Sequence, residues 1–257
     1  MRDLATEILT APSGAVCLFS IGQAGFVVKS GGGQLLGIDL YLSECVERHD
    51  GVMGFKRLMP RLLGPFDLEF DYLIATHPHL DHFDVDSMPE MMSNRRTELF
   101  ASLNCESEAH RLHMESERIH YVRPGDKFAA GNFQLNFVNC DHGAAAPDAV
   151  GVVITVDGKR IYEAGDTCLR LDRVSEYLAF GPIDVLIAPI NGAFGNMDEE
   201  GCARFSAALN PGLTIPCHYG MFAAHGGNPG KFLEAMRAEC PGNRVLLMAQ
   251  GERLRLN

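Results

Sequence analysis

One stretch of nine residues limits what this chain can fold into more than any other feature. Residues 76–84 read Thr-His-Pro-His-Leu-Asp-His-Phe-Asp and follow the apolar run Tyr72–Ala75, which has the pattern of a buried strand. Imidazole nitrogens and carboxylate oxygens are the ligands that borderline divalent metals prefer. Chance clustering is a poor explanation, because the whole chain holds only ten histidines. The stretch therefore predicts a metal site, for which other segments must supply further ligands.

Composition is that of an ordinary globular protein, with 257 residues, 46% of them hydrophobic and 21% charged. No apolar run approaches the roughly twenty residues that a membrane helix needs, and Met1–Glu7 lacks the pattern of a secretory signal. The eight cysteines include no C-x-x-C pair, so we expect reduced thiols. These features predict a cytoplasmic protein without a membrane partner.

The net charge of −11 disfavours nucleic acid as a partner, because such binding depends on Lys and Arg side chains that neutralise phosphates. We expect a small-molecule substrate instead. An anionic substrate stays open, since bound metal ions can outweigh the overall charge locally. A homo-oligomer is neither indicated nor excluded.

Strand and helix signals fall into two similar halves. Residues 15–39 predict three antiparallel strands, and residues 72–122 alternate between strands and helices. Residues 133–163 again predict antiparallel strands, and residues 174–256 return to alternation. This repeat predicts the α/β (α+β) class, as a four-layer αββα sandwich of two mixed β-sheets flanked by helices. Because no linker interrupts the pattern, residues 1–257 are predicted to form a single domain.

Two stretches carry more specific expectations. Tyr41–Phe70 is long and irregular, and such a connection in a compact domain is often a lid or a wall of the substrate pocket. Near the end of the chain, Val245–Met248 and Glu252–Leu256 are predicted as the last strands.

Further metal-binding residue types occur where an apolar strand gives way to a loop of small residues. They are His142, Asp166 and His218. Loops that follow rigid strands commonly carry functional side chains. In the first motif, alternate residues of an extended segment share a side, so His77 and His79 can bind one ion together. Asp81 and His82 follow where the chain must turn, which lets them face a second ion.

The order of these motifs resembles that of the metallo-β-lactamase superfamily. The pattern is His-x-His-x-Asp-His at residues 77–82, a lone His142, Gly165-Asp166-Thr167 and a final His218. Within the superfamily the chain looks most similar to L-ascorbate-6-phosphate lactonase-like metal-dependent hydrolases. The segments that carry this narrower resemblance are 75–84, 164–167, 192–196 and 215–218. The resemblance implies the αββα sandwich and two divalent metal ions, zinc or manganese, with iron as a third candidate.

The resemblance also implies a role for each residue. One ion would be held by His77, His79 and His142, the other by Asp81, His82 and His218, and Asp166 would bridge them. Asp39 would hydrogen-bond to the metal-binding loops. Asp166 and Asp81 are the predicted catalytic carboxylates, with Asp166 a candidate to pass a proton to the leaving group. Glu163 departs from the pattern, since relatives commonly have histidine there.

Hydrolysis is the reaction that this ligand set favours. A hydroxide bridging two ions would attack a small polar metabolite in the manner of a lactonase, with phosphorylated metabolites among the candidates. A phosphodiesterase on the same scaffold and a metal-binding sensor without turnover are the alternatives. His79 argues against flavodiiron oxidoreductases, which have glutamate there, and Asp166 argues against class B1 β-lactamases, which have cysteine. Asn191, Tyr219, His225 and Arg170 are the candidates for substrate contact.

Overall fold

The computed structural model describes residues 3–51 and 53–256. Met1 and Arg2, which belong to the segment that lacks a signal pattern, lie outside the described residues. So do Val52, within the irregular stretch, and Asn257 at the end. None of the described helices is both long and apolar enough to cross a membrane.

The first sheet has seven strands and contains the strand that precedes the histidine motif. Its strands are β1 (Val16–Gly22), β2 (Gly25–Lys29), β3 (Leu35–Ile38), β4 (Tyr72–Ala75), β5 (Glu98–Ser102), β6 (Ile119–Val122) and β13 (Arg253–Leu256). They lie in the order β13-β1-β2-β3-β4-β5-β6. The pairs from β13 to β3 are antiparallel and those from β3 to β6 are parallel, so the sheet is mixed.

The second sheet has six strands in the order β12-β11-β10-β9-β8-β7. They are β7 (Lys127–Ala130), β8 (Phe133–Asn139), β9 (Val150–Val156), β10 (Lys159–Glu163), β11 (Val185–Pro189) and β12 (Thr214–Cys217). The pairs β10-β11 and β11-β12 are parallel and the others are antiparallel. This sheet is therefore mixed as well.

Helices cover the outer face of each sheet. The first sheet packs against α1 (Leu4–Leu9), α2 (Cys45–Asp50), α3 (Ser87–Met91) and α4 (Glu106–Arg111). The second sheet packs against α5 (Val174–Leu178), α6 (Glu199–Leu209) and α7 (Pro229–Glu239). A third apolar cluster lies between the two sheets. The layers are therefore helix, sheet, sheet and helix, and the predicted αββα sandwich is confirmed.

Strand β1 illustrates how the sequence produces these layers. Successive side chains of a strand point to opposite faces. Val16 and Leu18 pack between the sheets, whereas Cys17 and Phe19 pack under the helices. All four are buried, which explains why the strand reads as a continuous apolar run rather than as an alternating one.

Three details differ from the sequence-based prediction. Val245–Met248 was predicted as a strand, but only Val245 forms a β-bridge, to Thr214, and so that prediction is wrong. Strand β7 is missing from the prediction, because only its last residue is buried and its pattern carries little apolar signal. Helix α1 is missing too, since its six residues are few for a periodic signal.

Candidate metal centre and adjoining pocket

The seven predicted ligands converge where loops from both sheets meet. The first sheet contributes four of them directly after β4, and the second contributes one each after β8, β10 and β12. Six of the seven are buried and the other, His79, is partly buried. The structure therefore brings together side chains that are up to 141 positions apart in sequence, as 218 minus 77 gives.

The first group consists of His77, His79 and His142. His77 Nε2 lies 3.0 Å from His79 Nδ1, and His142 Nε2 lies 3.2 Å from the same nitrogen. Nitrogens bound tetrahedrally to one zinc ion, at about 2.0–2.1 Å each, would be about 3.4 Å apart. The spacing therefore fits three ligands of a single ion.

The second group consists of Asp81, His82 and His218. His218 Nε2 lies 3.2 Å from His82 Nε2 and 3.3 Å from Asp81 Oδ2, and the His82 nitrogen lies 3.7 Å from that oxygen. These donor atoms face one another in the same way as those of the first group. They fit the ligands of a second ion.

Asp166 lies between the two groups. Its Oδ2 is 3.8 Å from His142 Nε2 in the first group and 3.1 Å from His218 Nε2 in the second. Its Oδ1 is 3.5 Å from His82 Nε2. This position fits a carboxylate that is shared between two ions.

The two groups differ in electrostatic character. Burial lowers the pKa of His77 and His79, and it lowers that of His142 to about 4. Burial acts the same way on His82 and His218, but the neighbouring carboxylates Asp166 and Asp81 outweigh it. They raise the pKa of His82 well above its usual value and that of His218 to about 9. The first group is thus neutral and ready to bind a cation, whereas the second holds protons that a cation must displace.

Asp39 supports the second group from behind. Its Oδ2 lies 2.7 Å from His82 Nδ1 and accepts a hydrogen bond of 2.6 Å from Thr76 Oγ1, while Oδ1 accepts one of 2.8 Å from the Thr76 backbone N–H. A carboxylate on the far ring nitrogen fixes the orientation of a metal-binding imidazole. The geometry thus agrees with the contact predicted for Asp39.

Gln23, in the hairpin between β1 and β2, is a site residue that the sequence analysis missed. Its Nε2 donates to Asp81 Oδ2 at 2.8 Å and lies 3.2 Å from His218 Nε2 and 3.0 Å from His225 Nδ1. The side-chain oxygen Oε1 is buried without a hydrogen-bond partner. Gln23 therefore brings a carboxamide directly against the second group.

Left-handed backbone is unusually frequent around the site. Eight described residues other than glycine have a positive φ, and four of them lie here: Gln23 (55°), Asp39 (45°), Phe194 (55°) and His218 (62°). Such conformations cost of the order of 1–3 kcal/mol each and persist where the surroundings impose them.

The metal-binding groups form one wall of a cavity of about 510 Å³. The lining residues are Val46, Phe55, Pro78, His79, Leu80, Asp81, His142, Ala145, Asp166, Phe194, His218, Phe222 and His225. Val46 and Phe55 of the irregular stretch 41–70 line this cavity, and the role of that stretch as a wall of the substrate pocket stays a prediction. A pocket of this size is typical of small-molecule sites.

Comparison with known proteins identifies the family of this chain. The family model described as "Beta-lactamase superfamily domain" matches residues 50–219, which is more than half of the chain. The chain belongs to the metallo-β-lactamase superfamily. The narrower resemblance to L-ascorbate-6-phosphate lactonases remains a prediction.

Relatives within the metallo-β-lactamase superfamily resemble most of the chain. It is 26% identical over 232 residues to a protein named "UPF0173 metal-dependent hydrolase" of Anaeromyxobacter dehalogenans, covering 85% of this chain and 80% of that protein. It is 29% identical over 193 residues to a protein of the same name from Enterococcus faecalis, covering 70% and 83%. The fold resembles that of Igni18, described as a novel metallo hydrolase from Ignicoccus hospitalis, with a TM-score of 0.73, 22% identity and coverage of 95% and 99%.

Of the four substrate-contact candidates, the structure places one in the pocket of this metallo-β-lactamase superfamily member. His225 lines the pocket, and its ring stacks on that of His218 with centroids 4.7 Å apart. Arg170 instead forms ion pairs with Asp141 and Asp172, and neither Asn191 nor Tyr219 lines this cavity. Those three predictions do not fit the geometry, because a position just after a strand does not fix where the side chain points.

Glu163 is fully buried at the end of β10. Its Oε1 accepts a hydrogen bond from the Gly165 backbone N–H at 3.0 Å, and its Oε2 has no partner. Burial, reinforced by the negative charge of Asp39, raises its pKa well above the usual range. Burial therefore disfavours a negative charge on Glu163, the residue that departs from the superfamily pattern and lies three positions before Asp166.

Asp84, the last residue of the opening motif, has a structural role. Its two carboxylate oxygens accept hydrogen bonds from the backbone N–H groups of Leu42, Ser43, Asp86 and Ser87 and from the Ser43 hydroxyl. Asp84 also lies near Cys45 and Asp86 in a further group of metal-binding residue types. Since its oxygens already accept these bonds, we interpret Asp84 as the anchor of the stretch that begins at Tyr41.

Proposed function

We propose that this chain is a binuclear metal-dependent hydrolase that acts on a small molecule. The observation that carries the proposal is the pair of ligand groups, His77–His79–His142 and Asp81–His82–His218, with Asp166 between them. These groups form one wall of a pocket whose size suits a small substrate. The names of the curated relatives, which are metal-dependent hydrolases, support the same reaction class.

Two divalent ions bound there would supply a water of lowered pKa and a Lewis acid for the oxygen of the substrate. The side chains of the protein would position the metal ligands and transfer the proton. Asp39 holds the His82 ring in place, and Asp166 reaches both groups. We also propose that Asp166, rather than Asp81, carries a proton to the leaving oxygen. Asp81 receives a hydrogen bond from Gln23, so we assign it to binding rather than to proton transfer.

Lactones and esters are our first choice of substrate, and phosphodiesters are the second. A phosphodiester keeps a negative charge, and no Lys or Arg occurs among the described residues that line the pocket. A carbonyl ester needs no such partner beyond the metal centre. Hydrolysis then forms one carbon–oxygen bond from water, breaks the acyl carbon–oxygen bond and delivers a proton to the departing oxygen.

The test uses the full-length protein, first stripped with a chelator and then loaded with zinc, manganese or iron. We expect two ions per chain by elemental analysis and hydrolysis of lactones or esters in preference to bis-aryl phosphodiesters. Asp166→Asn should reduce kcat by about 100-fold or more, while the exposed control Asp172→Asn should not change it. Two bound ions without turnover of any substrate would favour the sensor alternative, and turnover of phosphodiesters alone would favour the phosphodiesterase.

We further propose a cytoplasmic location. All eight cysteines are free thiols and seven of them are buried. Free thiols persist in reducing compartments. A homo-oligomeric state remains an open prediction.

A further inference from the structure

The wall of the pocket beside the metal centre is aromatic. The rings of Phe55, Phe194 and Phe222 surround the imidazole of His225, with centroid distances of 5.7, 5.4 and 5.1 Å. Phe55 also lies 6.1 Å from Phe194 and 5.8 Å from Phe222. The three phenyl rings come from three separate loops, so the wall exists only in the folded chain.

This wall is continuous with the metal centre. The ring of His225 stacks on that of His218, with centroids 4.7 Å apart and planes 17° apart. A group attached to a carbonyl over the metal centre would therefore extend directly among the phenyl rings. The scissile bond and the wall are adjacent parts of one cavity.

The described lining of the cavity offers no charge to a distal group of a substrate. Its only carboxylates are Asp81 and Asp166, which belong to the metal centre, and it contains no Lys or Arg. On the Phe55 loop, Arg57 is engaged with the backbone carbonyls of Tyr41 and Ser43, and Lys56 is exposed and not among the lining residues. A carboxylate or phosphate at the far end of a substrate would lose hydration there without a partner.

Phe194 exposes a large apolar ring at the pocket. Its side chain is 61% exposed although it is large and apolar, and its backbone is left-handed, with φ of 55°. A ligand that covers the ring would remove apolar surface from water, which favours binding. The loop therefore presents this ring to the pocket at a cost in backbone strain.

We propose that the pocket selects substrates whose reacting carbonyl carries an uncharged, apolar group of about phenyl size. This inference rests on the proposed hydrolase function and replaces the phosphorylated polar metabolite that the sequence resemblance suggested. The metal centre binds the carbonyl and the aromatic wall binds the apolar group. Specificity then comes from Phe55, Phe194 and Phe222.

Binding can be tested without turnover. Hydroxamates bind to metal centres, so we would measure the Kd of acetohydroxamate, 3-phenylpropanohydroxamate and succinic monohydroxamate by calorimetry on the full-length, zinc-loaded protein. We expect the phenyl probe to bind about tenfold or more tightly than acetohydroxamate. The succinyl probe should bind no more tightly than acetohydroxamate, because its carboxylate finds no cation.

Variants of the phenylalanines test whether their rings cause the preference for the phenyl probe. Phe194→Ala and Phe55→Ala should each lower the ratio of phenyl to acetyl affinity severalfold. Phe66→Ala is the matched control, because Phe66 is an exposed phenylalanine outside the pocket, and its ratio should stay that of the parent. Phe194→Lys should raise the affinity for the succinyl probe relative to acetohydroxamate.

The outcomes separate this inference from the proposed function. A phenyl probe that binds no better than acetohydroxamate, or a succinyl probe that binds best, overturns the inference even if esters are hydrolysed. Selective binding of the phenyl probe without hydrolysis of 3-phenylpropanoyl esters, acetyl esters or lactones supports the apolar pocket and contradicts the hydrolase. Selective binding together with faster turnover of the 3-phenylpropanoyl ester supports both.

Discussion

Single side chains set the chemical character of the metal centre, and Gln23 is the one that the sequence did not reveal. Its contact with Asp81 spans 58 positions and its contact with His218 spans 195. A lone glutamine in a hairpin carries no spacing signal, whereas the clustered histidines of residues 77–82 are visible without any structure. Contacts of this kind depend on how the hairpin packs, so residue patterns alone do not predict them.

Gln23→Leu is expected to weaken binding of the second ion. The substitution removes the hydrogen bond from Nε2 to Asp81 Oδ2, and loss of a partner that orients a metal ligand typically costs 10–100-fold in metal affinity. The exposed Gln134→Leu is the control. Calorimetric titration with zinc checks the effect, and equal affinities for the second ion in both variants would contradict it.

Metal binding should be linked to protons at one group and not at the other. Until an ion binds, Asp166 and Asp81 overcome the effect of burial and keep the pKa of His218 at about 9, so its ring is protonated at pH 7. The ion requires neutral rings, so affinity should rise between pH 7 and pH 9, by up to about tenfold per pH unit for each proton that the ion displaces. His142, with a pKa of about 4, is neutral throughout that range.

Calorimetry in two buffers of different ionisation enthalpy measures this proton release. We expect at least one proton to be released at pH 7 when the second group is filled, and close to none when the first group is filled. Release of equal numbers of protons by both ions would show that the carboxylates do not distinguish the groups.

At the level of elements, the predicted metal ligands follow the ends of strands, and the Asp84 carboxylate anchors the stretch that begins at Tyr41. The strands that precede the ligands could be predicted because they are apolar and end in loops of small residues. The aromatic wall could not, since Phe55 and Phe194 lie in irregular segments. The glycines at 192 and 195 were the only signal for the second of these loops.

Asp84→Asn should destabilise the chain by about 2–3 kcal/mol, as measured by urea unfolding. Both carboxylate oxygens accept hydrogen bonds, from the backbone N–H groups of Leu42, Ser43 and Ser87 and from the Ser43 hydroxyl. An amide side chain has only one oxygen that can accept such bonds. Asp86→Asn, which changes a partly exposed ion pair with Arg48, should cost less than about 1 kcal/mol. A similar cost for both variants would refute the anchoring role of Asp84.

At the scale of the molecule, the candidate metal centre joins the two sheets. Four of its predicted ligands follow a strand of the first sheet and three follow strands of the second. The layer order was predictable because the strand and helix signals repeat in halves. The exact edge of the second sheet was not, since β7 is exposed and residues 245–248 form only one bridge.

Removal of metal should therefore lower the thermal stability of the whole chain. A ligand present at 100 times its Kd stabilises the folded state by about 2.7 kcal/mol, which for a chain of this size is a Tm change of roughly 5–10 °C. Scanning calorimetry with and without a chelator measures it. His113→Ala, at an exposed histidine outside the centre, should show the same chelator effect as the parent. A chelator without effect on either protein would contradict the prediction.

The left-handed residues around the centre limit how this protein can be improved. Glycine adopts a left-handed backbone without a steric cost, so it would relieve backbone strain at each of the four positions Gln23, Asp39, Phe194 and His218. At the exposed Phe194, a screen that rewards heat tolerance alone would therefore favour glycine, whereas the buried hydrogen bonds of Asp39 and the metal-binding position of His218 oppose that change. Stability and selectivity compete at Phe194, so laboratory evolution of this protein must select for both at once.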